Sequence, residues 1–79
     1  MMEDWERDEE VDAVYIRLSQ GRVVRTEDLG EGRFADYDAT GTLVGVELLG
    51  VSHGVNLDGL PSHDVIERFL TEHSIRVYA

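Results

Sequence analysis

The sequence predicts an α+β fold: an antiparallel four-stranded β-meander, one C-terminal helix packed on one of its faces, and a short final strand. Three observations carry that expectation. From Val11 onward, apolar residues recur at every second position. Glycine-bearing breaks at Gln20-Gly21, Leu29-Gly30-Glu31-Gly32 and Asp38-Ala39-Thr40-Gly41 separate these runs. Only Val65, Ile66, Phe69 and Leu70 follow the spacing of a helical stripe.

The first strand is expected at Ala13 to Leu18, with Val14, Ile16 and Leu18 on one face and Ala13, Tyr15 and Arg17 on the other. Gln20-Gly21 reads as a tight turn with Gly21 at positive φ, and Val23-Val24-Arg25-Thr26 as the return strand. Arg33 to Tyr37 and Leu43 to Leu49 form a third and a fourth strand. Between them, Asp38 opens a type I turn and Gly41 takes the left-handed position. That turn sets Tyr37 opposite Leu43, Asp36 opposite Val44, Phe34 opposite Val46, and Arg33 opposite Glu47. The last is an opposite-charge pair worth ~0.2–1 kcal/mol. Phe34, Val44, Val46 and Leu48 then share an apolar face, on which Asp36 also falls.

Ser62 is the expected helix N-cap, with Asp64 favourably placed in the first turn. The helix ends near His73-Ser74, and Ile75 to Tyr78 is the final strand. Residues 1–10 form an acidic mobile arm and residues 11–79 a single domain. Trp5 either latches onto the domain or another chain, or begins the first strand.

A domain of 79 residues has a small core, worth ~3–5 kcal/mol on its own. It contains no cysteine, which excludes disulfides, thiolate metal sites and cysteine nucleophiles. Oligomerisation is the remaining source of added stability, and a homodimer is expected. The single helix leaves one sheet face uncovered, where Ala13, Tyr15, Ala35, Tyr37, Leu43 and Leu49 are expected to project. Tyr15, Tyr37, Leu43 and Leu49 are its candidate interaction residues; the other reading is a half-wetted face.

Seventeen acidic residues oppose seven basic ones, all arginine, for a formal charge of −10. That balance argues against nucleic acid and against anionic membrane surfaces. It suits a basic protein partner, and it equally suits a surface kept soluble by charge. No apolar run approaches the ~18–20 residues of a membrane span, and the acidic start is unlike a signal peptide. A cytoplasmic protein is expected.

The chain also contains a near-match to a calcium loop: Asp36, Asp38, Thr40, Gly41 and Glu47 stand at positions one, three, five, six and twelve. A calcium loop needs flanking helices, whereas here the flanks alternate like strands. In a hairpin, Glu47 lies five residues past Thr42, roughly 17 Å along the strand. No metal and no cofactor are therefore expected. His53, His63 and His73 recur every tenth residue without ligand spacing. Asp36 with Asp38, or Ser52 with His53 and Asp58, could be drawn as catalytic groups, but neither set has an oxyanion donor or a pocket.

The strand Asp12-Ala13-Val14-Tyr15-Ile16 and the run Asp36-Tyr37-Asp38-Ala39-Thr40-Gly41 followed by Gly45-Val46-Glu47 resemble a small bacterial and archaeal family, domain of unknown function 2283. The resemblance runs from about Val11 to Leu49. Asn56 to Pro61 and the helix are similar to the tail of some members, while Phe34-Ala35 replaces a commoner aliphatic pair. The resemblance implies no established activity and no catalytic residues. Some members lie beside genes for small toxin-like proteins, which implies an antitoxin-like role. The expected function is thus non-catalytic protein interaction. The alternatives are a metal- or ligand-binding module at the Asp36/Asp38 turn and a regulatory enzyme subunit.

Overall fold

Alternation of buried and exposed residues builds an antiparallel sheet, and the computed structural model describes residues 4–79. The elements are β1 (Asp4–Asp8), β2 (Ala13–Arg17), β3 (Arg25–Gly30), β4 (Arg33–Tyr37), β5 (Leu43–Leu49), a 3-10 turn (Val51–His53), β6 (Val55–Asn56), α1 (His63–Glu72) and β7 (Val77–Tyr78). The α+β class stands, with one C-terminal helix and a short final strand. The sheet has five strands in the order β1-β2-β5-β4-β3, and β6 pairs with β7 in parallel.

Several expectations are corrected. The arm assigned to residues 1–10 supplies β1, paired with β2 from Asp4↔Arg17 to Asp8↔Ala13; residues 1–3 lie outside the described residues. Like charge does not keep β1 apart, because Trp5 faces inward and packs on the C-terminal end of α1. Its ring centroid lies 5.1 Å from that of Phe69 and 4.2 Å from that of His73. The meander holds only for β3, β4 and β5, since β2 pairs with β5 instead of β3. Leu18 N and Ser19 N both donate to Val44 O, so the chain runs past the β4–β5 turn to the far edge. Gly21 is not among the glycines with positive φ; it is small because a Cβ there would lie 2.7 Å from Asp38 Oδ2.

The β4–β5 register is also one residue off the expected one. Tyr37 does face Leu43, but a β-bulge follows, so Asp36 pairs with Gly45, Ala35 with Val46, Phe34 with Glu47 and Arg33 with Leu48. An extra residue on one strand moves every later side chain of its partner to the other face. The covered face is therefore Val14, Ile16, Val46 and Leu48, packed on Ile66, Phe69 and Leu70 of α1. Ala35 joins that side with no exposed surface.

Arg33 comes with it, and the expected Arg33–Glu47 pair does not form. Arg33 is 8 % exposed, and its guanidinium is held by main-chain carbonyls: Nε donates to Gly30 O at 2.9 Å, Nη2 to Leu29 O at 2.8 Å, and Nη1 to Asn56 O and Asp58 O. It thereby ties the β3–β4 turn to the segment leading into α1. Ser62 precedes the helix but does not cap it with its side chain; it is left-handed at φ 54, and its carbonyl accepts from Val65 N and Ile66 N. No helix among the described residues is long and apolar enough to cross a membrane.

Arg33→Met fills the same volume but strands four carbonyls. It is expected to destabilise the domain by about 3 kcal/mol, read as a lower urea midpoint, with Arg33→Lys intermediate because it offers three donors in place of a planar fork.

Candidate functional site

The side of the sheet that α1 does not cover carries a continuous row across all five strands: Glu6, Tyr15, Glu47, Phe34 and Asp28 are successive register partners. The neighbouring row runs Arg17, Gly45, Asp36 and Thr26. Ala13 and Leu49 pair at one end, with Leu49 43 % exposed. Carboxylates thus alternate with aromatic and aliphatic groups. A shallow acidic depression bounded by Glu6, Asp8, Glu10, Val11, Tyr15 and Glu47 lies at the β1 side.

Gly45 shapes this face. A Cβ there would lie 2.6 Å from Tyr15 Cζ and 2.8 Å from Ile16 O, so the tyrosine ring occupies the space a side chain would take. From β2 the ring crosses β5, and its hydroxyl donates to Asp36 Oδ2 on β4 at 3.0 Å. Thr26 Oγ1 on β3 donates to Asp36 Oδ1 at 2.6 Å. One carboxylate therefore joins three strands. Partial burial and the bond to Asp36 push the Tyr15 hydroxyl up to about 12.

Asp38 does different work. Its Oδ1 accepts from Thr40 N at 2.9 Å, Thr40 Oγ1 at 2.7 Å and Thr42 N at 3.0 Å. Gly41 N donates to Asp38 O, and Gly41 is left-handed at φ 86. The Thr40 hydroxyl first, then the Thr42 amide, hold the Asp38 carboxyl below its ordinary value. Asp12, for which sequence reasoning assigned no role, accepts from Ser52 Oγ at 2.7 Å and Ser52 N at 3.1 Å. The Ser52 hydroxyl bond is the main cause that lowers the Asp12 carboxyl. Its signal in the sequence is a lone Asp directly before a strand.

The four candidate interaction residues do not share a face. Tyr15 and Leu49 lie on the open side. Tyr37 follows Ala35 by two residues and pairs with Leu43, which packs against the core; Arg25 lies 4.4 Å above the Tyr37 ring. The bulge is the reason, and the signals for it were Gly45 inside a strand and an Asp assigned to an apolar face. Asp36 and Glu47 both stand on the open side, while Asp38 belongs to the turn, and residues 33–49 are extended chain doubled back. Among the described residues no three His, Asp or Glu side chains converge.

The histidines are apart. His53 O accepts from Arg76, His63 Nε2 lies 3.1 Å from exposed Asp64, and His73 stacks on Phe69 with its Nδ1–H donating to Phe69 O at 2.8 Å. The Ser52 hydroxyl is turned to Asp12, so Ser52, His53 and Asp58 form no relay.

The run from Asp12 to Ser52, stitched by Asp12–Ser52, Tyr15–Asp36 and Asp38–Thr42, is what a family model recognises: it matches residues 8–52, more than half of the chain. The chain belongs to the DUF2283 family. Its description is a protein of unknown function. The DUF2283 span takes in β2 to β5 and ends inside the 3-10 turn, short of α1. No curated protein and no solved structure matches the chain.

Gly45→Ala forces a methyl against Ile16 O, which is backbone and cannot move aside, and is expected to cost about 2 kcal/mol or more in a denaturant midpoint. Tyr15 has a raised folded-state value, so its contribution is complete below about pH 10, where an ordinary tyrosine ionises, and is lost as pH rises towards about 12. A spectrophotometric titration is expected to show a tyrosine ionising late, and Tyr15→Phe to remove that step together with part of the alkaline loss of stability.

Proposed function

We propose that the protein is a non-catalytic interaction module that docks a basic protein partner on the open face of its sheet. The observation that carries this reading is the row Glu6–Tyr15–Glu47–Phe34–Asp28, in which carboxylates alternate with rings on the uncovered side. Rings supply contact area at low entropic cost, and flanking carboxylates steer arginine and lysine towards them. Arg17 also stands on this face, its Nη2 donating to Gly21 O at 2.9 Å, but the carboxylates of Glu6, Glu47, Asp36 and Asp28 outnumber it, so the face is acidic. A face of one sign opposes a second copy of itself and favours a partner of opposite charge. A small basic toxin neutralised by occlusion is the kind of partner this chemistry suits.

Catalysis is not part of the reading. Tyr15, Asp36 and Thr26 are bonded to one another, as are Asp38, Thr40 and Thr42; these groups hold strands and a turn in place.

The test is fluorescence anisotropy of a labelled arginine-rich peptide with the full chain. Salt-sensitive binding is expected, and Asp28→Lys with Glu47→Lys weakens it about tenfold or more. Glu67→Lys with Glu72→Lys on α1 makes the same change in net charge and leaves affinity within about twofold. Equal weakening by both pairs would mean that only net charge is read, and the proposal would fall.

A further inference from the structure

We propose that two copies of this chain pair edge to edge through β3, across a two-fold axis at Thr26, which makes a continuous antiparallel sheet. This uses a surface separate from the open face and stands or falls apart from it. Strand β3 closes one side of the sheet, and five of its six residues are exposed. Leu49 N donates to Gly32 O and Asp38 N to Thr42 O, so along β4 the main chain of Phe34 and Asp36 turns to β5 and that of Ala35 and Tyr37 to β3; their partners Glu27 and Arg25 turn to β4, while the amides of Thr26 and Asp28 turn outward. An outward row of donors and acceptors is a template for another strand.

A two-fold antiparallel pairing sets residues of the same face opposite one another. Centred on Thr26, it places Arg25 opposite Glu27 of the second copy, and Glu27 opposite Arg25. Thr26 meets itself at a hydrogen-bonded position of the new ladder, and the two Arg25–Glu27 pairs flank it at the non-hydrogen-bonded positions, where side chains approach more closely. Val23, 37 % exposed, meets Leu29. The charged centres on β3 are not complementary: centring on Arg25, Glu27 or Asp28 puts that charge against itself. Arg25 is already held on its face by the Tyr37 ring, 4.4 Å away, so less freedom is lost on pairing. Glu27 has no ion-pair partner among the described residues.

The opposite edge is unsuited to the same use. Centring a β1 pair on Glu6 sets Glu6 against itself, and centring it on Arg7 sets Glu6 against Asp8. One edge is guarded by like charge and the other is self-complementary.

The test is sedimentation of the full chain from micromolar to millimolar concentration. A concentration-dependent dimer is expected, and R25E or E27R alone is expected to weaken it at least about tenfold. Mixing R25E with E27R restores opposite charges at both pairs, so the mixture dimerises where neither variant does alone. The double variant R25E/E27R, with its charges exchanged, dimerises like the parent and so reports that both positions tolerate the change. A chain that stays monomeric throughout, a dimer indifferent to both single variants, or a mixture that fails to regain the dimer would each overturn the proposal.

Discussion

A single helix of ten residues can seal only one side of a five-stranded sheet, and the rest of the molecule is arranged around that shortage. On the sealed side, Ile66, Phe69 and Leu70 meet Val14, Ile16, Val46 and Leu48. Two pieces of chain extend the cover. Trp5 brings β1 onto the end of the helix, and Arg33 binds the approach to the helix to the β3–β4 turn through carbonyl groups. A buried guanidinium without a carboxylate is stabilised here by the number of carbonyl oxygens around it.

On the other side the protein cannot bury its residues, so it bonds them to one another. The absence of a side chain at Gly45 lets the Tyr15 ring lie flat across β5 and reach Asp36, which also takes the Thr26 hydroxyl. Several residues within the DUF2283 span have a structural account of this kind. Asp12 fastens the 3-10 turn, Asp38 and Gly41 build the hairpin end, and Tyr15, Asp36 and Gly45 bridge strands. What the bridging leaves outward is Glu6, Glu47 and Asp28, with Phe34 among them.

Local signals in the sequence were legible because they depend on neighbours along the chain. Alternation marked β2, β4 and β5; Asp38 and Gly41 marked a turn; the apolar stripe marked α1. Longer-range choices were hidden. Nothing near Val23 says that the chain passes β5 and pairs with β4, because the cause is Val44 O, which captures the amides of Leu18 and Ser19. The bulge beside Gly45 slid one strand by a residue and so exchanged the faces of Phe34 and Ala35, which separated Tyr37 and Leu43 from Tyr15. Strand β1 was masked by its charge, although its Trp5 was the one residue there with an apolar surface to bury.

In the proposed function the uncovered side of the sheet is the surface that recognises a partner. The most direct test of that recognition is a map of amide shifts in the isotopically labelled protein as an arginine-rich peptide is added. Shifts concentrated at Glu6, Tyr15, Phe34, Gly45 and Glu47, with α1 unmoved, are the predicted result. Shifts spread over every acidic segment, or centred on Glu67 and Glu72 of the helix, would contradict it.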